Sequence, residues 1–385
     1  MRPNERLLAT LRGQPHDRIA IYTQIPFGLE VGGGFCPAAF HGYGDYDDWR
    51  RRDPAYWRLV RRMESECDNF FIWRPPCMVS DQFFVPDVII RSQPAREENG
   101  RIVTTSVLKT GGRELRTVRA VQPGTGHTWV LEHYCQSPQD AQMLLELPWQ
   151  SARDGAGDFS ELSGLLGDRG VMWATIPSPI LVVCRLFEPM EFLVFVRTER
   201  DLLHRLLAVA AERIATNLTM LLRDGVGPIV RFGGAEHATP PLMSPADFDD
   251  LVVRYDKPLM DLAKRHGCHV AVHCHGKIRH ALRRFVEMGV DQTDPVEADT
   301  DGDLTLAEAR RIAQGRVTLT GNIQMRELAT ATPDAIRQRV MQIAQDAGPD
   351  HLIFTTTGTP LEPISQVVEA NYHAFIDAAV EFGRL

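Results

Sequence analysis

The 385-residue sequence contains no uninterrupted apolar run of the length that a membrane span requires. Its first six residues are rich in charge and do not form the apolar core of a signal peptide. The seven cysteines, an odd number, occur without regular spacing, which is typical of a chain whose thiols stay reduced. We therefore expect a cytoplasmic protein that does not cross a membrane.

An excess of basic residues is also missing. The 42 lysines and arginines are outnumbered by 50 aspartates and glutamates, and the formal net charge is -8. A phosphate backbone demands a basic surface, so nucleic acid is not expected as a partner. The hydrophobic fraction of 44% and charged fraction of 24% are typical of a globular protein, of a length that suits one large α/β domain or two smaller ones.

Nucleotide-binding motifs are absent. The glycine run at residues 32–34 does not belong to a G-x-x-x-x-G-K-[ST] pattern, and no G-x-G-x-x-G opens a predicted helix. This favours a flexible active-site loop over a phosphate-binding loop at residues 32–36.

Apolar strands and amphipathic helices alternate through most of the chain. Capping signals precede several helices: Ser244-Pro245 and Thr332-Pro333 place a hydroxyl before a proline, and residues 305–308 form a capping box. Eight segments have the length and composition of buried strands, namely 19–22, 69–73, 171–175, 228–232, 269–273, 290–293, 317–320 and 352–356. Eight is the number that a closed parallel (β/α)8 barrel (TIM barrel) requires, with an open doubly wound sheet as the alternative. A further strand is expected near 181–184.

Residues 85–131 follow a different pattern, with short alternating segments separated by glycine-containing turns such as Asn99-Gly100. They predict a small antiparallel β insertion in an otherwise single barrel domain spanning 1–385.

Polar residues follow the predicted strands at the ends where TIM barrels carry their active sites. His273 and His275 end one strand, and alternate residues of a strand face the same side, so both imidazoles can reach one ion. A metal site is one interpretation of this pair. General acid and base catalysis without metal and simple hydrogen bonding in a polar pocket are the others.

Further candidates lie at neighbouring strand ends. Glu297 is the first choice for a third metal ligand, although a salt bridge to Arg231 or Lys277 would equally explain it. Arg231 is a candidate for binding an anion. Three more substrate-binding candidates occupy equivalent positions along the chain: Glu236, Asn322 and Tyr22.

Four segments carry a resemblance to a known family: 4–13 with Asp17-Arg18, 241–245, 273–276 and 321–323. Their order and spacing resemble the uroporphyrinogen decarboxylase superfamily over most of the chain. The resemblance implies a single (β/α)8 barrel with its cavity at the carboxyl ends of the strands.

The superfamily has two characterised branches. True uroporphyrinogen decarboxylases carry an arginine-rich segment near the N-terminus, whereas residues 25–30 here contain no arginine. The other branch contains cobamide-dependent methyltransferases, which bind zinc through a His-x-Cys pair and a distant cysteine. His273 and His275 fall on that pair, and no cysteine occurs near 355–358. Glu297, or as a second choice Glu362, would have to complete the site, which would hold zinc as the first choice or another divalent ion.

The resemblance therefore implies a methyltransferase or demethylase-like enzyme that activates a small-molecule substrate at a divalent metal. The methyl carrier would be a cobamide on a partner corrinoid protein, and the chain would form a homodimer. A decarboxylase or lyase acting on a small carboxylate is the alternative. A non-catalytic barrel that binds a small molecule or corrinoid is a third hypothesis.

Overall fold

The fold was analysed in a computed structural model. It describes residues 1–25, 30–31, 34–35, 49–85, 90–110, 113–123, 128–151, 155–297 and 300–384. Most of the glycine-rich loop at 32–36 and part of the predicted strand at 88–90 lie outside these ranges.

The strands are, in chain order, β1 (Ala20–Tyr22), β2 (Glu30–Val31), β3 (Gly34–Phe35), β4 (Asn69–Trp73), β5 (Ile90–Ser92), β6 (Arg96–Glu98), β7 (Arg101–Thr110), β8 (Arg113–Val121), β9 (Thr128–Glu132), β10 (Gly170–Pro177), β11 (Ile229–Gly233), β12 (His269–His273), β13 (Gln292–Asp294), β14 (Thr318–Ile323) and β15 (Leu352–Thr356). The α-helices are α1 (Pro3–Leu11), α2 (Pro54–Glu66), α3 (Pro138–Leu145), α4 (Phe159–Leu166), α5 (Pro179–Cys184), α6 (Pro189–Thr198), α7 (Arg200–Arg223), α8 (Pro245–Phe248), α9 (Arg254–Arg265), α10 (Arg279–Met288), α11 (Leu306–Ala313), α12 (Met325–Thr330), α13 (Pro333–Ala347) and α14 (Gln366–Phe382).

Eight parallel strands form one sheet in the order β1, β15, β14, β13, β12, β11, β10, β4. The first and last strands approach each other at Asp68, whose backbone N–H donates to the Ile21 carbonyl at 2.7 Å while its Oδ2 accepts from the Ile21 N–H at 3.0 Å. The predicted (β/α)8 barrel is therefore confirmed, and the barrel strands coincide with the eight segments expected from the sequence. A buried carboxylate helps to close it.

Charged residues near the N-terminus hold this closure. Arg6 donates to Asp68 Oδ1 and to Asp17, and Arg18 lies 2.9 Å from Asp68 Oδ2. Arg6 and Asp68 are both buried. The charged residues of the N-terminal motif thus stabilise the join between β1 and β4.

Successive side chains of each barrel strand point to opposite faces of the sheet, so two hydrophobic cores form. One set of side chains faces the surrounding helices and forms the larger core, whereas the inward set includes Tyr22, Phe70 and Trp173. The rings of Phe70 and Trp173 stack at 3.9 Å, and Tyr22 meets both edge-on. These aromatic residues, with Leu7 of α1, fill the interior, so the barrel is a packed core and not a pore.

The antiparallel insertion is also present. Strands β5 to β9 form a separate antiparallel sheet in which β7 pairs with β8 over its full length. The chain enters this insertion after β4. It returns to the barrel at Cys135, which forms an isolated parallel β-bridge with Phe187. The insertion therefore starts from the carboxyl end of a barrel strand, on the side where the polar candidates lie.

One predicted element is wrong. The segment expected as a strand near 181–184 belongs to helix α5, with Pro179 at its first position, where the fixed proline backbone favours a helix. The strand that carries Arg231 is consequently the fourth of the barrel. The predicted caps at Ser244, Thr305 and Thr332 are confirmed, since each side chain accepts a backbone N–H bond at its helix start.

No helix in the described ranges is both long and apolar enough to cross a membrane.

Candidate active site at the carboxyl ends of the barrel strands

His273 is the last residue of β12 and lies opposite Asp294, the last residue of β13, in the parallel register. Its Nδ1 is 3.1 Å from Asp294 Oδ2. A carboxylate can only accept, so Nδ1 carries the proton and the lone pair resides on Nε2. The strand register therefore fixes both the position and the tautomer of this imidazole.

Asp294 is fully buried and binds three side chains. Besides His273, it accepts from an Arg231 guanidinium N–H at 3.0 Å and from Gln24 Nε2 at 3.0 Å. Burial alone would raise the pKa of this carboxyl, but the hydrogen bond from His273 and the charge of Arg231 hold it well below its usual range. Asp294 is thus an anion at the centre of the site.

Burial lowers the pKa of His273, and the positive charge of Arg231 adds to this, outweighing the opposite effect of Asp294. The imidazole is therefore neutral near physiological pH. A neutral imidazole with its lone pair on Nε2 is suited to bind a metal ion or to accept a proton.

His275 forms a second histidine and carboxylate pair just beyond the strand. Its Nδ1 is 3.0 Å from Glu297 Oε1, and Glu297 Oε2 accepts from the Gly276 backbone N–H at 2.7 Å. Burial would lower the pKa of His275, but its bond to Glu297 raises it. The two imidazole rings lie 4.6 Å apart and nearly perpendicular.

Cys274, between the two histidines, is buried in the core that faces the helices. Burial raises the pKa of its thiol well above the usual value. It lies on the opposite side of the strand from the candidate metal ligands.

The remaining candidates divide into two groups. Tyr22 and Arg231 face the barrel interior, where the Arg231 guanidinium carbon lies 4.9 Å from the centre of the Trp173 ring. Burial raises the pKa of the Tyr22 phenol, which keeps it protonated. Glu236, in the turn after β11, has a buried Oε2 without a hydrogen-bond partner among the described residues, and its charge reaches His275.

Asn322 is not brought together with the histidines. Its Oδ1 accepts from Arg339 of α13 at 2.8 Å, and it lines a cleft of about 340 Å³ between the sheet and the helices, together with Leu306 and Glu327. Sequence spacing alone would place Asn322 on the inward face, because it follows Thr318 and Thr320 at intervals of two residues and such residues share one face of a strand.

Two functional candidates were missed from the sequence. Asp294 directly follows the predicted strand 290–293 and was recognisable as a strand-end residue, but no role was assigned to it because its pairing with His273 depends on the strand register. Gln24, by contrast, lies beyond β1 and reaches Asp294 only because the barrel closes, which no local pattern reports.

Two of the ligands that a divalent ion needs are present, namely the imidazoles of His273 and His275. A carboxylate behind each imidazole is the arrangement that orients metal-binding histidines and makes them more basic. In the described part of the chain, however, no three His, Cys, Asp or Glu side chains are grouped so as to hold an ion. Glu297 would have to exchange its His275 bond for the ion, or the substrate would have to supply the third ligand.

Comparison with protein families gives one match: the model of the uroporphyrinogen decarboxylase (URO-D) family matches residues 161–381, more than half of the chain. No curated protein matches the sequence significantly. Among solved structures, a methyltransferase from Methanosarcina mazei is similar with a TM-score of 0.61 and 17% identity, covering 99% of each chain. A B12-independent methionine synthase from Shewanella sp. W3-18-1 has a TM-score of 0.44 and 12% identity, covering 94% of this chain and 97% of that one. The first likeness supports the fold, and the second is too weak to support an argument.

Proposed function

The chain belongs to the uroporphyrinogen decarboxylase family, and we propose that it is a metal-dependent enzyme of the methyltransferase or demethylase type. In this proposal His273 and His275 hold a divalent ion, zinc being the first candidate, and Glu297 is the first candidate for the third ligand. A small molecule is the substrate. The proposal rests mainly on the two imidazoles, whose rings lie 4.6 Å apart.

The ion, when bound, would act as a Lewis acid that lowers the pKa of a substrate heteroatom or polarises a methoxy group. The chain's own residues prepare the site for this. Asp294 keeps the proton of His273 on Nδ1, so that Nε2 presents its lone pair. Glu297 orients His275 through Nδ1 and is itself positioned by the Gly276 N–H, but its charge also raises the pKa of that imidazole, so an ion would have to displace a proton from it.

Other residues would position the substrate. Tyr22 and Arg231 line the interior below the histidines. Glu236 offers a carboxylate oxygen that has no partner among the described residues. The aromatic layer formed by Trp173 and Phe70 closes the floor, so water would enter only from the carboxyl side of the strands.

The partner proposals follow from this chemistry. A methyl transfer needs a methyl donor, and a cobamide on a corrinoid protein would supply it. The structural likeness to the methyltransferase from Methanosarcina mazei is compatible with this. A homodimer is proposed as the assembly and is tested by light scattering on the purified protein.

A decarboxylase or lyase is the second candidate, and one observation favours it. Arg231 is buried and its Nε has no partner among the described residues, so the guanidinium retains a donor for a substrate carboxylate. The neutral His273 would then move the proton.

Elemental analysis of purified protein tests the metal. We expect about one equivalent of a divalent ion per chain in the wild type, and loss of that ion in His273→Ala and His275→Ala. His266→Ala is the matched control, because His266 is exposed at the end of α9, before β12 begins, whereas His273 lies at the carboxyl end of that strand. The metal proposal is abandoned if the wild type lacks the ion or if His273→Ala retains it.

Activity then separates the two reactions. The loaded protein is mixed either with methylcobalamin and a panel of thiol acceptors, or with cob(I)alamin, kept reduced by titanium(III), and a panel of methoxy donors. The visible spectrum of the corrinoid reports methyl transfer. A parallel screen of small carboxylates for CO2 release without cobamide tests the decarboxylase. Corrinoid binding without turnover in either assay would instead indicate a non-catalytic binding protein.

A further inference from the structure

Three hydrogen-bond donors on the inner wall of the barrel lack a partner among the described residues. They are the indole Nε1 of Trp173, the hydroxyl of Thr175 and the Nε of Arg231. Trp173 is fully buried and Arg231 is only 6% exposed. Leaving a buried donor unpaired costs about 1–3 kcal/mol, so three together imply an occupant that accepts hydrogen bonds.

The three donors lie in one place. Trp173 and Thr175 are two residues apart on β10 and so face the same inner side. Arg231 pairs in register with Thr175 on the adjacent strand β11, and its guanidinium carbon lies 4.9 Å from the centre of the Trp173 ring. The three donors therefore belong to one stretch of the inner wall, where a single bound group would lie near all of them.

Arg231 already has a counter-ion in this place. Its guanidinium group pairs with the buried carboxylate of Asp294 at 3.0 Å. A second carboxylate on the same guanidinium group would lie close to Asp294, and two neighbouring buried anions repel each other.

We propose that Trp173, Thr175 and Arg231 form a subsite for an uncharged oxygen of the substrate, of the carbonyl, ether or methoxy class. The subsite deepens the proposed function, on which it rests, by naming the group that the substrate presents beside His273. It favours methyl transfer or demethylation over decarboxylation, because the latter would place a carboxylate at Arg231.

The test uses the full-length protein with ¹⁵N-labelled tryptophan indoles. The chain has six tryptophans, and Trp173→Phe identifies the signal of Trp173. Acetamide provides an uncharged carbonyl oxygen, and acetate is its charged analogue. We expect acetamide to move the Trp173 N–H signal downfield in a saturable manner, and acetate to bind more weakly.

Thr175→Val removes one donor with little change of shape. We expect it to weaken acetamide binding by roughly 5- to 10-fold, the effect of one hydrogen bond worth about 1 kcal/mol. Thr216→Val is the matched control, since Thr216 is exposed on α7, and it is expected to bind acetamide like the wild type.

Two results would overturn the subsite. A Trp173 signal that responds to neither probe means that a trapped water satisfies the donors, and tighter binding of acetate than acetamide means that the site selects an anion. The Trp173 signal can be recorded whether or not the protein holds a metal, and elemental analysis is made on the same sample. If the protein holds no metal but the Trp173 signal still responds to acetamide, the proposed function fails and the subsite remains. If the metal is present but the signal does not respond, the subsite alone fails.

Discussion

His273 Nδ1 and Asp294 Oδ2 lie 3.1 Å apart at the ends of two adjacent parallel strands, and the same carboxylate oxygen accepts from Arg231. The strand register brings these side chains together, so the pair is part of the barrel itself and does not depend on loops. This bond decides which nitrogen of His273 faces the cavity.

Asp294→Asn is expected to damage both stability and metal binding. The substitution leaves the buried Arg231 without its counter-charge, and breaking such a pair costs about 3–5 kcal/mol. Loss of the carboxylate behind His273 should weaken zinc binding by roughly 10- to 100-fold. Chemical denaturation and chelator competition measure the two effects.

Asp301→Asn is the control for this variant, because the ion pair of Asp301 with Arg326 is largely exposed. It should change stability by less than about 1 kcal/mol. If Asp294→Asn has the same free energy of unfolding and the same zinc affinity as Asp301→Asn, the role assigned to Asp294 is wrong.

Asp68→Asn should destabilise the barrel at its closing strands. Asp68 is fully buried between Arg6 and Arg18, and its carboxylate also binds the Ile21 N–H. Since Arg18 would lose its anion and Arg6 would keep only Asp17, we expect the free energy of unfolding to fall by about 3–5 kcal/mol in urea denaturation.

Asp168→Asn provides the comparison, since Asp168 forms an exposed pair with Arg2 at 3.6 Å. A loss of stability in Asp68→Asn no larger than that in Asp168→Asn would show that the buried carboxylate does not hold β1 against β4.

Asp256 is expected to make stability depend on pH. This carboxyl is fully buried on α9, and burial raises its pKa to about 7, although the Ser178 hydroxyl donates to Oδ1 at 2.8 Å and acts in the opposite direction. The folded state therefore holds the proton more tightly than the unfolded chain does. Stability is highest below the unfolded pKa and falls as the pH rises from about 4 to about 7.

Asp256→Asn carries no charge at any pH and should lose this dependence. Relative to the wild type, its free energy of unfolding should increase between pH 4 and pH 8 by at most about 4 kcal/mol. Ser178→Ala should retain the dependence, because Asp256 still titrates. Parallel stability curves for the wild type and Asp256→Asn would contradict the assignment.

Much of the architecture could be predicted because its signals are local. Each barrel strand is a short buried run, and hydroxyl caps such as Ser244 and Thr305 mark where helices begin. The segment at 181–184 misled prediction because a short apolar run fits a strand or a buried helix equally well. The proline at 179 was the signal that favoured the helix.

The site was predictable only in part. His273 and His275 are close because they are two residues apart on one strand, so their proximity follows from chain geometry. Glu297 was expected beside them, and its Oε1 lies 3.0 Å from His275 Nδ1; whether it also binds a metal stays a prediction. Asn322 was expected with the substrate-binding residues but binds Arg339 outside the barrel.

The sequence by itself determined the alternation of strands and helices, the caps and the spacing of the histidine pair, because these depend on contacts between near neighbours in the chain. Tertiary structure alone decided that Asp294 would join His273 to Arg231 and Gln24, and that Trp173, Thr175 and Arg231 would leave three donors facing one place. Those groupings arise from strand register and barrel closure. Both are set by packing between residues far apart in sequence, and no local pattern records them.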